Sequence, residues 1–172
     1  MRTIPIIQGE HAVVNEEGVV ISTLLGSCIA VCLHDAEKRI GGMNHFLLGE
    51  PGPDQKLNAS ELQRYGLHAM ELLINATMKA GAQRQNLRAH LYGGANIIAG
   101  LGGIGTANAA FAKRFLETEG IAIGHVDTGG NRARKVEFRP YDGKVRSRCV
   151  ADVPPPPVPE RKPEHCGEIE LF

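Results

Sequence analysis

The sequence predicts a layered domain of the α/β or α+β class, and three observations carry that prediction. Short apolar runs rich in β-branched residues recur along the chain, punctuated by Gly, Asn and Asp. Two stretches place apolar residues at helical spacing. The length of 172 residues, 42% of them hydrophobic and 22% charged, suits one domain with a sizeable core. Strands and helices mixed in this way bury their apolar faces by stacking in layers. Residues 1–152 read as that domain, 153–163 as a proline-rich linker and 164–172 as a C-terminal tail. Strand order is not legible in the pattern.

Taken in order, residues 3–7 and 11–14 read as short strands around Gly9, and Asn15-Glu16-Glu17-Gly18 as a turn. Val19 to Leu24 reads as a buried strand. Gly26-Ser27 turns the chain, and Cys28 to Leu33 reads as extended, with a helical turn opening at Cys28 as the alternative. His34 to Arg39 connects to a partner strand, Ile40 to Leu48, in which Gly41-Gly42 permits a bulge or a close approach. Residues 49–56 hold two prolines, two glycines and no apolar period, and read as a mobile loop.

Ser60-Glu61-Leu62-Gln63 has the form of a capping box. The helix it opens would turn Leu62, Tyr65, Ala69, Leu72, Leu73 and Ala76 inward and stop at Gly81. Leu87 to Tyr92 is a strand broken by Gly93-Gly94-Ala95-Asn96. The glycine-dense run 100–105 fits neither a dinucleotide fingerprint nor a P-loop and reads as a flexible turn. Thr106 would cap a helix from Ala107 to Glu119 with Ala110, Phe111, Phe115 and Leu116 inward. Ile121 to Asp127 is a strand. Ala133 to Phe138 and Val145 to Val150 form a hairpin across Tyr141-Asp142-Gly143. The run Val153 to Pro159 must be extended, and a stiff linker is preferred over a ligand for an SH3-type module.

Charge and patterning exclude several function classes. Nineteen basic residues balance nineteen acidic ones and no basic block occurs, so a nucleic-acid partner is not suggested. No apolar run approaches the ~20 residues that span a bilayer. Pro5 breaks the only apolar patch near the N-terminus, which lacks the form of a secretory signal, so a cytoplasmic location is expected. There the four cysteines, Cys28, Cys32, Cys149 and Cys166, are expected as thiols rather than a disulfide framework.

A thiol presented just past a tight turn, Cys28, and an imidazole in a second apolar run, His45, are the two halves of a nucleophile–base pair. A thiolate needs a neighbour that lowers its pKa, and a histidine within reach can do this and then act as base and acid. Ser22, Thr23 and Ser27 are the nearby hydroxyls, and the amides around Gly26-Ser27-Cys28 could hold an oxyanion. Residue type and spacing alone slightly favour the blander reading, a core cysteine beside a core histidine. A zinc site from Cys28, Cys32, His34 and His45 has the right ligand types but neither knuckle nor HxxxH spacing.

Ordered blocks along the chain resemble one family. Leu25-Gly26-Ser27-Cys28-Ile29-Ala30-Val31-Cys32-Leu33 and Gly42-Met43-Asn44-His45-Phe46-Leu47-Leu48 look like the signature blocks of CheD, the chemoreceptor glutamine deamidases. Tyr92-Gly93-Gly94-Ala95-Asn96, Ile104-Gly105 with Asn108, and Asp127 to Val136 resemble its later blocks in the same order, and Glu170-Leu171-Phe172 is similar to the ending of many members. Ala107 and Ala133 depart from the arginine and glycine usual there, and the proline-rich insert is unusual.

The resemblance implies a layered sandwich similar to the catalytic domain of the cytotoxic necrotizing factor toxins. It implies a Cys-His-Thr site in which Cys28 is nucleophile and His45 base, with Thr23 preferred over Ser22 as the third member. It further implies hydrolytic deamidation of receptor glutamines through a cysteine thioester, with no metal or organic cofactor. The implied partners are the cytoplasmic helical domains of methyl-accepting chemotaxis receptors and a CheC-type phosphatase. The competing readings are a non-catalytic adaptor that binds those same partners, and an acyl transferase or peptidase built on the same pair.

Overall fold

The computed structural model describes residues 1–48, 59–97 and 103–150, the side chains of 59–64 excepted, and among them nine strands and two α-helices form three layers. The strands are β1 (Arg2–Pro5), β2 (His11–Val14), β3 (Val19–Leu25), β4 (Ile29–Asp35), β5 (Ile40–Asn44), β6 (Leu87–Gly93), β7 (Ala122–Thr128), β8 (Arg134–Arg139) and β9 (Lys144–Cys149). The helices are α1 (Ala59–Lys79) and α2 (Ile104–Thr118). One sheet has the order β1-β3-β8-β9, the other β2-β5-β4-β6-β7.

Two cores separate the layers, and β4 shows why. Its side chains alternate between faces. Ile29, Val31 and Leu33 join Met70, Leu73, Phe111 and Leu116 beneath the helices. Cys28, Ala30 and Cys32 join Ile21, Leu25, Val136 and Phe138 between the sheets. A strand buried on both faces reads as a continuous apolar run, which is how Ile29 to Leu33 appears in the sequence.

Glycines let the layers close at Gly41 and Gly42. A Cβ at Gly41 would lie 2.9 Å from the Phe138 ring, and one at Gly42 would lie 2.8 Å from Val13. The ladder from Cys32↔Met43 to Asp35↔Ile40 runs regularly through both, so they serve close approach and not a bulge. The strands 3–7 and 11–14 appear as β1 and β2, and the 141–143 hairpin joins β8 to β9. Cys28 opens no helical turn.

Several expectations are corrected. Tyr65 and Leu72 are exposed, and α1 buries Gly66, Met70, Leu73, Ile74 and Thr77 instead. The misjudged stripe follows from weighting side-chain size: Gly66 is buried because Phe111 and Leu48 crowd it, with the Phe111 ring 2.5 Å from where a Cβ would stand. Helix α2 begins at Ile104 on a left-handed Gly103, not on Thr106, and Ala110 is exposed whereas Ala112 is buried. The strand expected to reach Leu48 ends at Asn44. The expected loop 49–56, the linker 153–163 and the tail 164–172 lie outside the described residues, as does the start of the glycine run.

Candidate active site

Two residues of the Met43-Asn44-His45-Phe46 run explain why the strand stops there. Val31 and Asn44 face each other in the β4–β5 register, yet the Val31 amide donates to the Asn44 side-chain Oδ1 at 2.9 Å. The side chain stands in for its own backbone, and Asn44 is 2% exposed. Backbone groups alternate sides along a strand, so those of His45 face away from β4, toward the segment that leads into β2: its amide donates to Glu10 O at 3.1 Å and its carbonyl accepts from Gly9 N at 2.8 Å. One residue on, Phe46 and Ile29 exchange both backbone bonds at 2.9 Å. Cys28 and His45 each precede a member of that antiparallel pair, which makes them diagonal neighbours across the ladder.

Thr23, on β3 of the opposite sheet, meets His45 across the gap. Its Oγ1 lies 2.7 Å from His45 Nδ1 and 2.7 Å from the carbonyl oxygen of Ile6. A carbonyl can only accept, so the single hydroxyl proton goes to Ile6, and Oγ1 must accept the proton on Nδ1. Nε2 is left with a lone pair. Burial pushes the His45 imidazole down to about 4, so the ring is neutral at neutral pH. Ser22 is one residue away in a strand whose side chains alternate, and lies on the opposite face from Thr23.

The Cys28 turn is held from behind by three consecutive carbonyls. Gly26 O accepts from Ala95 N at 3.0 Å, Ser27 O from Asn108 Nδ2 at 2.8 Å, and Cys28 O from Gly94 N at 2.9 Å. Peptide planes are rigid, so the amides of Ser27 and Cys28 point away from these partners. Gly93 must be glycine: its φ is +110° and a Cβ there would collide with the Cys28 carbonyl. Gly105, at the start of α2, is pressed in the same way against the carbonyls of Gly94 and Ala95. Asn108 also accepts from the Leu48 amide through Oδ1 at 3.1 Å. One buried side chain thus ties the turn before Cys28 to the segment after His45.

The Asp127–Val136 block supports the same frame from farther out. Arg134 is 6% exposed and donates to Gly93 O at 3.1 Å and Gly129 O at 2.8 Å, with Asp127 Oδ2 3.4 Å from its Nε. Ala107 is exposed on α2, and Ala133 is half-buried just before β8.

The remaining candidates fall away from this point. Cys32 is fully buried, and burial drives its thiol well above the ordinary range, so it stays protonated. His34 lies near the far end of β4, with Nε2 3.4 Å from Tyr141 O, roughly 20 Å along the strand from Cys28. The four residues considered for zinc are therefore not gathered, and among the described residues no group of three or more His, Cys, Asp or Glu could hold a metal ion. Cys149 is exposed at the end of β9. Sequence reasoning did not find the Ile6 carbonyl, the Asn44 substitution in the ladder, or Gln8, whose Oε1 lies 3.8 Å from Cys28 Sγ. No periodicity marks a carbonyl or a side chain on a turn, so these became visible only with the chain folded.

No helix among the described residues is long and apolar enough to cross a membrane. A family model described as CheD chemotactic sensory transduction matches residues 47–149. A probable chemoreceptor glutamine deamidase CheD from Zymomonas mobilis is 49% identical, over 99% of this chain and 93% of that protein. Proteins of the same description from Caulobacter vibrioides and Agrobacterium fabrum are 46% and 42% identical, over 97% and 99% of this chain and 91% and 97% of theirs. A solved Neisseria meningitidis protein aligns with a TM-score of 0.47 and 13% identity, over 75% of this chain and 64% of that one. With a model match over more than half its length and relatives this close along nearly all of it, the chain belongs to the CheD family.

Proposed function

We propose that the chain hydrolyses glutamine side-chain amides to glutamate on chemoreceptors, with Cys28 as nucleophile, His45 as base and Thr23 as the group that orients it. The relatives' shared description supplies the reaction and its target class. The observation that carries the residue roles is the Thr23–His45 hydrogen bond, because it leaves Nε2 unprotonated on the side of the ring away from Thr23.

The steps follow from these groups. His45 Nε2 takes the Cys28 proton, and the thiolate attacks the carboxamide carbon of the substrate. The amides of Ser27 and Cys28, turned away from the Asn108 and Ala95 side, are backbone donors for the resulting oxyanion. The imidazolium returns its proton to the leaving nitrogen, ammonia departs, and a γ-glutamyl thioester remains. Water then attacks the thioester with His45 again as base, which releases glutamate and restores the thiol. A long, unbranched glutamine side chain suits a buried cysteine such as Cys28, because its carboxamide can enter ahead of its backbone. The partner is the cytoplasmic helical domain of the receptor, and a CheC-type phosphatase is the second partner.

Purified receptor cytoplasmic fragment incubated with the protein releases ammonia and gains the mass of amide-to-acid conversion at specific glutamines. Cys28→Ala abolishes both while still binding the fragment. Undiminished release by Cys28→Ala overturns the nucleophile assignment. Binding without release by the unaltered protein makes the chain an adaptor instead.

A further inference from the structure

We propose that Gln8 is a catalytic residue of this site, donating a side-chain N–H to the oxyanion formed at the carbon that bonds Cys28. The inference rests on Cys28 being the nucleophile and adds a group to that chemistry.

Gln8 sits at the tip of a tight turn that the site itself holds in place. Glu10 N bonds Ile7 O at 2.9 Å, and Gly9 in the third position has a φ of +91°, which makes Ile7–Glu10 a type II turn with Gln8 at its first corner. The Glu10 carboxylate accepts from Ile7 N at 2.9 Å and stiffens the turn from within. Its two ends are bound to the other members of the site. Ile6 O accepts the Thr23 hydroxyl, Gly9 N donates to His45 O, and Glu10 O accepts from His45 N. The segment therefore has a fixed position relative to His45 and Thr23, although Gln8 itself is exposed.

From that turn the Gln8 carboxamide reaches the thiol, 3.8 Å from Sγ. The oxygen and nitrogen of a glutamine amide exchange places by a half-turn of the terminal torsion, and the network decides between them. A thiol asks for an acceptor, so Oε1 faces it before reaction. Once the substrate carbon is bonded to sulfur, the negative oxygen is two bonds from Sγ, so a carboxamide 3.8 Å from Sγ on the oxygen's side can reach the ~2.7–3.1 Å separation of an oxyanion donor. The same half-turn then offers Nε2. A side-chain amide is a standard donor in such positions, and it strengthens only as charge develops, which is the condition for raising kcat.

Gln8→Met keeps the length of the side chain and removes the donor. Gln8→Glu keeps the shape and offers only acceptors to an anion. With receptor fragment as substrate, kcat should fall ~10²-fold or more in both, with KM changed less than about threefold, because one such donor is worth ~10²–10³ in kcat. The rate of Cys28 alkylation by iodoacetamide should stay near that of the unaltered protein in Gln8→Met, since alkylation forms no oxyanion. Unchanged kcat in both variants overturns the proposal. So does a loss confined to KM, which makes Gln8 a binding contact, or a loss of alkylation in step with kcat, which makes it a thiol-activating group. Cys28→Ser is assayed alongside: if it keeps full activity, the nucleophile reading fails and Gln8 falls with it, whereas an inactive Cys28→Ser with a fully active Gln8→Met defeats the Gln8 role alone.

Discussion

Thr23 Oγ1, on β3 of one sheet, and His45 Nδ1, one residue past β5 of the other, are 2.7 Å apart, and that contact decides which imidazole nitrogen carries the proton. The Ile6 carbonyl completes the relay by taking the hydroxyl proton.

Removing the acceptor therefore disturbs both neighbours. Thr23→Val keeps the shape but leaves His45 Nδ1 and Ile6 O without a partner in a buried place, so stability falls by ~1–3 kcal/mol. Deamidation falls at least tenfold as the ring loses its orientation. Thr23→Ser keeps the hydroxyl and most of the activity, and Ser22→Ala, on the other face of β3, leaves the rate unchanged. Ammonia release and urea unfolding of the three variants check this, and a Ser22→Ala rate as low as that of Thr23→Val refutes it.

The depressed His45 pKa has two pH consequences. Its neutral form persists well below the ordinary 6.5, so the acid limb of kcat/KM should lie below the usual imidazole range, with the rate at pH 6 close to that at pH 7. In unfolding, the free imidazole gains a proton through 6.5 while the buried one does not until about 4. The unfolded chain then binds more protons, and stability falls as pH drops through that window. At ~1.4 kcal/mol per pKa unit the His45 share amounts to ~3 kcal/mol below pH 4. Urea midpoints between pH 4 and 7 for the unaltered protein and His45→Gln isolate that share, and parallel pH curves for the two would rule it out.

Asn108 bonds the Ser27 carbonyl and the Leu48 amide at once. Asn108→Ala should cost ~2 kcal/mol from two unsatisfied buried groups and slow deamidation by releasing the Cys28 turn. Asn108→Asp keeps an acceptor for Leu48 but sets a carboxylate against the Ser27 carbonyl, so it should be the slower enzyme of the two. Circular-dichroism melts paired with ammonia assays test both, and an Asn108→Asp protein with full activity would show that the Ser27 bond is dispensable.

Gly93 carries two constraints, a φ of +110° and contact with the Cys28 carbonyl. Gly93→Ala must move the backbone that bears Cys28, so we expect loss of more than ~2 kcal/mol and of activity together. Gly129→Ala, with a φ of +91° and open space around it, bears only the backbone strain of ~1–2 kcal/mol and should retain its rate. Comparable activity in the two variants contradicts the close-approach argument.

Much of this molecule is written locally. Buried β4 declares itself as an unbroken apolar run, and Gly26-Ser27 marks the break between β3 and β4. Cys28 and His45 stand out because ordered motifs surround them. The amphipathic stripe of α1 misled where size was taken for burial, because a glycine packed under an aromatic ring carries no apolar signal of its own. The choice between Ser22 and Thr23 was open for a related reason: alternation shows that the two hydroxyls face opposite ways, but not which face looks at the other sheet.

By itself the sequence determined the layered class and the elements that alternate or repeat at helical spacing. Those depend on patterns within a few residues. Tertiary structure decided what depends on contacts across the chain. It set Thr23 against His45 by stacking β3 over it, bonded the Val31 amide to the Asn44 side chain, and brought Asn108 from α2 to the Ser27 carbonyl and Gln8 from the β1–β2 turn to the Cys28 thiol. These are single directed hydrogen bonds between residues far apart in sequence, and a one-dimensional pattern holds no trace of them until packing sets their distances.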